Sequence, residues 1–333
     1  MSNPFPSSTS TPGHGTLKIH LLPQNVSALA QMTFQYPLKL ISPSPAEHQK
    51  SILVFLLTYG GGLVGGDQVN LGIDVASNAS LSIVTQGHTK IFKSPTQHVV
   101  TRQTLRTTLR PGSKLCLLPD PVQPFAESVY EQTQIFHVAD DATICVLDWV
   151  SQGRIARGEN WDFWAWRGRN EIWASLPDNI DAKARLLVRD NVILHGDATG
   201  ISGEMDLRKR MQGLGLFGTL ILKGPGVERL ASFFMDEFAI LPRIGLRDFR
   251  SDEDKKEDDK LVLTEEELWR NARLKQEKSD NVLWSAARIR GCTIVKFGAH
   301  TVEGGRHWIG DMLKREGSVE MLFGDDATMC VRK

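Results

Sequence analysis

Two arrangements in this chain invite a catalytic or nucleotide-binding reading. Gly60, Gly62 and Gly65 satisfy the spacing of a dinucleotide-binding turn and follow the apolar run Ile52 to Leu57. In a nucleotide fold the third glycine opens a helix whose N-terminus holds the pyrophosphate. Here the chain continues Asp67-Gln68-Val69-Asn70-Leu71-Gly72-Ile73-Asp74-Val75, an alternating strand pattern. No Gly-Lys-Ser/Thr follows, and the Asp67 carboxylate would repel phosphate. The glycines therefore read as a β turn, or as a place where another backbone comes close. The second arrangement is Ser202 with His195 and Asp197, a nucleophile, base and acid for a β-rich hydrolase. Gly200-Ile201-Ser202-Gly203 lacks one spacer of the nucleophile elbow, so this reading stays the weaker alternative. The nine histidines are scattered without H-x-x-x-H or H-E-x-x-H spacing, and no tight metal site is expected.

The elements around these residues are mostly strands. Val69, Leu71, Ile73 and Val75 alternate with polar neighbours, as do Leu81 and Ile83, which is the period of half-buried strands. Further strands are expected at Leu17 to Leu22, Ile52 to Thr58, Val99 to Leu109, Lys114 to Leu118, Ser128 to His137, Thr143 to Trp149, Asp162 to Arg167, Arg169 to Ser175 and Phe217 to Leu222. Ala184 to Leu194 reads as a hairpin turning at Asp190-Asn191. Helical signals come late. Leu230 to Phe238 has helical spacing, Thr264 and Glu267 form a capping-box pattern, and Leu268, Ala272 and Ala286 or Ala287 continue it past Asp280-Asn281. A third helix, Val302 to Lys314, lacks a strong cap and contains Gly304, Gly305 and Gly310. The fold expected is mainly β, many short strands in packed sheets as a sandwich or helix-like β scaffold, with two or three helices toward the C-terminal half.

Composition narrows the rest. The 333 residues carry 39 basic and 39 acidic side chains, so no global field favours nucleic acid or an anionic membrane. The aromatic run Trp161, Phe163, Trp164, Trp166 offers either core packing or a partner hot spot. No apolar run approaches the roughly 20 residues of a spanning helix. Residues 1–15, rich in Ser, Thr and Pro, read as a disordered tail that is neither a signal nor a transit peptide. Residues 16–333 read as one domain, with a charged loop insert, SDEDKKEDDK, at about 251–260. Cys116, Cys145, Cys292 and Cys330 lie far apart, as expected of free thiols in a reducing cytoplasm.

Four strings occur in order: Tyr59 to Asp67 (YGGGLVGGD), Thr85 to Phe92 (TQGHTKIF), Leu118 to Phe125 (LPDPVQPF) and Leu147 to Arg154 (LDWVSQGR), with Arg157-Gly158-Glu159 close behind. Together they resemble the urease accessory protein UreD, or UreH, family, over roughly residues 15 to 315. His88 departs from the small residue usual in the second string, and Gly317 to Lys333 resembles nothing in the family pattern. The resemblance implies a mostly β protein with a pair of helices, and no enzymatic activity. It implies binding to UreF, which recruits the GTPase UreG, and docking of that assembly on apo-urease to deliver nickel. An internal path for the metal is part of the same implication.

A chain that passes nickel(II) onward should hold it weakly, through oxygen donors, water and an occasional imidazole, with nothing tightly bound. Within the matching motifs the candidates are Asp67, His88, Asp120, Asp148 and Glu159. Each carboxylate has two readings. It lines a polar path, or it ties down turn N–H groups and pairs with Arg154 or Arg157. Asp148 interrupts the apolar run Ile144 to Val150, where an unpaired carboxylate would be costly to bury, so Arg154 or Arg157 is expected beside it.

Overall fold

The computed structural model describes residues 11–44, 49–174, 184–196, 206–241 and 264–332. An antiparallel pair, β1 (His14–Leu21) and β2 (Ser27–Phe34), comes first. His14 and Gly15 thus belong to a strand, inside the stretch assigned to the tail. Next come β3 (Leu38–Ile41), β4 (Ile52–Thr58) and the short β5 (Gly62–Leu63).

From β6 (Gln68–Val75) onward the chain winds between two facing sheets. β6, β9 (Thr101–Leu109), β12 (Val129–Val138) and β14 (Ala165–Ala174) lie in the first; β7 (Ser80–Val84), β10 (Lys114–Leu117) and β13 (Thr143–Ser151) lie in the second. Parallel strands need a crossover, and here each crossover is a strand of the opposite sheet. The corners stack through backbone bonds, with Lys114 N donating to Ala79 O and Thr143 N to Ser113 O. Small strands β8 (Thr89–Ile91) and β11 (Val122–Pro124) attach beside β5 and β13. The first sheet is closed by β15 (Arg185–His195), antiparallel to β14. The second is closed by β16 (Leu216–Lys223), β17 (Leu283–Ile289) and β18 (Cys292–Ala299). The result is a 7-stranded and an 11-stranded sheet, face to face.

Four expectations about elements need correction. Ala184 to Leu194 is no hairpin: Asp190 and Asn191 sit within one continuous strand paired to Asn170 and Arg169. Pairing along the edge of β14 overrides the turn preference of Asp-Asn, and Asp190 satisfies its carboxylate across the sandwich. The two segments expected at Asp162 to Arg167 and Arg169 to Ser175 are a single strand, because Gly168 leaves room for the Trp166 ring, whose Cη2 would lie 2.4 Å from an added Cβ. Ala286 and Ala287 belong to β17 rather than to a helix. The last long helix does have a cap, since Thr301 Oγ1 accepts from Gly304 N at 3.0 Å.

Among the described residues the helices are α1 (Leu207–Arg210), α2 (Glu228–Ile240), α3 (Glu265–Ser279), α4 (Val302–Glu316) and α5 (Ser318–Phe323). The Thr264/Glu267 capping box is formed in full. In α4 the glycines permit contact: a Cβ on Gly305 would lie 2.2 Å from Leu216 Cδ2, and one on Gly310 would lie 2.1 Å from Val331 O. Helices α2 and α4 cover the outer face of the second sheet, where Phe234, Trp308, Met312, Phe297 and Trp149 form one core. The chain after Gly317 joins that core through Val319, Phe323, Ala327 and Val331. A second core fills the space between the sheets and takes in Trp161, Phe163 and Trp166; Trp164 is half-buried. All four cysteines are buried and free. The charged insert at 251–260 lies outside the described residues. Among the described residues no helix is long and apolar enough to cross a membrane.

Candidate functional site

Strand β13 is buried along its whole length, and its two faces alternate. Cys145, Leu147 and Trp149 join the helix-covered core, while Ile144, Val146 and Val150 face the other sheet. Asp148 has the parity of the second set, so its carboxylate projects into the space between the sheets, 6% exposed. Such a group needs hydrogen bonds to be tolerated. Two amides supply them: Gln132 Nε2 of β12 at 2.8 Å and Asn170 Nδ2 of β14 at 2.7 Å. Gln132 is held in turn by the Tyr130 hydroxyl, which donates to its Oε1. The expected arginines are elsewhere: Arg154 binds Glu159 and Arg157 is exposed. Burial pushes the Asp148 carboxyl up to about 6, and Asp190 adds to the effect against the bonds from Asn170 and Gln132 and the charge of Lys296.

Register extends this point into a layer. Asp148, Thr219 and Lys296 are partners across β13, β16 and β18. Gln134, Asn170 and Asp190 are partners across β12, β14 and β15. The two rows face each other. Asp190 accepts from Thr219 Oγ1 at 3.2 Å and from Lys296 Nζ at 2.6 Å. The Lys296 side chain is 37% exposed, so the polar layer runs from the surface to the middle of the sandwich.

On the opposite side of Asp148 lies an interior cavity of about 30 Å³, enough for one water or ion. Gln103, Gln132, Gln134 and Asp148 line it together with Asp120 and Thr85. Asp120 accepts from Thr85 Oγ1 at 3.1 Å, Gly87 N at 2.9 Å and Arg306 Nη2 at 2.8 Å. His88 is half-buried near Asp120, and burial lowers its pKa despite that carboxylate, leaving a neutral imidazole at pH 7. Cys330 bonds to Thr85 O, and burial followed by Asp120 pushes its thiol up to about 12, so it is no thiolate ligand.

Of the five candidate residues, the structure brings Asp120, Asp148 and His88 to this region and leaves two outside it. Asp67 closes its own turn by accepting from Val64 N at 2.8 Å. The glycine stretch before it has Gly60 and Gly61 at positive φ and leads into β6, not a helix. Gly62 is a close-approach site, since a Cβ there would lie 2.6 Å from Lys90 O of β8. Glu159 holds the guanidinium of Arg154 and accepts from Arg154 N at 2.8 Å, fixing the loop after β13. Among the described residues no three His, Cys, Asp or Glu side chains converge as a metal cage. Ser202 and Asp197 lie outside the described residues, and His195 sits in β15.

Sequence reasoning missed Gln132, Gln134, Asn170, Asp190, Thr219 and Lys296. The signal for two of them was parity: Gln132 and Gln134 share the inward phase of Tyr130, Phe136 and Val138. A polar residue at an inward strand position is the same anomaly that marked Asp148.

The chain matches the family model described as UreD urease accessory protein over residues 12–329. The chain belongs to the UreD family. It is 32% identical over 290 residues to a urease accessory protein ureD-like protein of Schizosaccharomyces pombe, covering 86% of this chain and 88% of that one. It is 31% identical over 223 residues to the urease accessory protein D of Oryza sativa subsp. indica, covering 66% and 68%. Over a shorter stretch of 127 residues it is 44% identical to the UreD of Sorangium cellulosum, covering 38% and 39%. The match extends into the α5 region, which had looked unlike the family, and membership assigns this UreD chain a role as a urease accessory protein.

Proposed function

We propose that this chain is a non-enzymatic scaffold that works with UreF and UreG to deliver nickel(II) to apo-urease, and that the ion passes along the polar layer between its sheets. The observation that carries the reading is Asp148. A carboxylate in the middle of a sandwich core, bonded by neutral amides, costs more to bury than an apolar side chain at the same position would. The donor set suits transit: carboxylate and amide oxygens hold nickel(II) loosely, and among the described residues no group of three or more His, Cys, Asp or Glu side chains is there to trap it. Both amides now point N–H groups at Asp148, and rotating either about its last bond turns an oxygen toward the ion instead. Asn170 Oδ1 has no hydrogen-bond partner among the described residues, so turning that amide breaks no bond at its oxygen. Asp120 and neutral His88 continue the route beyond the cavity.

Nickel is cargo in this reading, with no cofactor resident in the chain. Four buried free thiols support a cytoplasmic setting. Co-production with the UreF of the same organism should yield a stable complex that survives gel filtration, and the mixture should mature urease without nucleotide or ester turnover by this chain. A chain that never associates with UreF would contradict the scaffold role.

A further inference from the structure

The two ends of the polar layer are closed by different cations. At one end Asp120 is held by three donors from three parts of the chain, with Arg306 Nη2 as the charged one. At the other end the described donors to Asp190 are Thr219, at 3.2 Å, and Lys296, at 2.6 Å. Lys296 Nζ also lies 3.5 Å from Thr219 Oγ1 and 5.6 Å from the centroid of the Phe217 ring. Its side chain is 37% exposed while that of Asp190 is 10% exposed. The ammonium therefore stands between solvent and the last carboxylate before Asn170 and Asp148.

We infer that Lys296 is a displaceable gate, whose ammonium blocks the Asp190 mouth at rest and swings into solvent when a divalent cation takes its place on the carboxylate. The inference rests on the nickel-passage reading and adds the residue that controls entry or exit. Two cations cannot share Asp190 at contact distance without strong repulsion, so the ammonium must leave before an ion moves toward Asp148. Lysine suits this better than arginine. It is a point charge on a flexible stem and grips Asp190 through one atom, whereas a planar guanidinium can hold both carboxylate oxygens. The exchange keeps Asp190 paired: a divalent cation replaces the ammonium and leaves one further positive charge at the mouth, facing the Asp148 carboxylate, and the released ammonium regains its water.

The test is nickel(II) binding to the full-length chain at neutral pH, by equilibrium dialysis, for wild type, Lys296→Gln and Lys296→Gln/Asp190→Asn. Lys296→Gln keeps a donor for Asp190 and removes the competing charge. Nickel affinity should rise by about tenfold or more, and the added Asp190→Asn should cancel the gain. Equal affinity of wild type and Lys296→Gln, with unchanged melting, overturns the gate. Should Lys296→Gln fail to fold, Lys296→Arg keeps the charge and tightens the grip; it should slow urease activation several-fold, and activation at the wild-type rate overturns the gate as well. Asp148→Asn in the same activation assay separates the two levels. If it abolishes activation while Lys296→Arg is unimpaired, the gate is wrong and the path stands. If Asp148→Asn also activates normally, the path is wrong and the gate falls with it.

Discussion

The two faces of β13 have the same burial and different chemistry. On the outer face Cys145, Leu147 and Trp149 pack into the helix-covered core, with Trp149 near Phe297 and Phe297 near Trp308. On the inner face Ile144, Val146 and Val150 pack against the opposite sheet, but Asp148 stands among them with its amide partners. Apolar residues on one face lower the free energy of the fold. The carboxylate on the other raises it, and stability alone does not account for its presence. This contrast separates what holds the protein together from what its interior is for.

The contrast can be broken by mutation, and the largest expected effect is on the outer face. Leu147→Ala should cost about 2–5 kcal/mol in urea denaturation, independent of pH. Asp148→Asn should do the reverse. With the native carboxyl pushed up to about 6, the folded state holds its proton more tightly than the unfolded chain. The native state is therefore favoured at low pH and loses stability as pH rises from about 4 to about 6, by on the order of 3 kcal/mol in total. Asp148→Asn should melt higher than wild type at pH 8, with the difference disappearing below about pH 4. An unchanged melting point at pH 8 would show that Asp148 is solvated and that the faces differ less than the structure indicates. Gly305→Ala, which presses a methyl group into Leu216, should cost about 1–3 kcal/mol by lifting α4 from the outer face. The smallest effect belongs on the solvent face of the first sheet. There Glu131 is flanked by its strand partners Arg102 and Arg167, and Arg167→Ala should cost less than about 1 kcal/mol.

Strand parity made the first sheet readable, because a sheet buried on one face repeats every two residues, as in β6 and β12, while a strand covered on both faces, such as β13, stands out as a continuous apolar run. Asp148 was readable for the same reason, as a charge in an apolar run. Asp190 was not. Local chemistry favours a turn at Asp190-Asn191, and only the long edge of β14 overrides it. Nothing in the local sequence marks Thr219 or Lys296, since their meaning depends on β16 and β18 returning beside β13 from far along the chain. Gly305 and Gly310 looked like helix weaknesses for a similar reason: the atoms they accommodate belong to Leu216 and Val331. Asp67 and Glu159 belong to the same family motifs as Asp120 and Asp148, but motif membership alone does not distinguish a turn tie from a member of the interior polar layer.

The central claim is that the polar layer carries nickel, and it is tested most directly by the nickel content of urease matured with Asp148→Asn. The variant should fold, resist heat better than wild type at pH 8 and still assemble with its partners. The urease it serves should nevertheless hold at least about tenfold less nickel than urease matured with wild type. Equal nickel content in the two preparations would contradict the account.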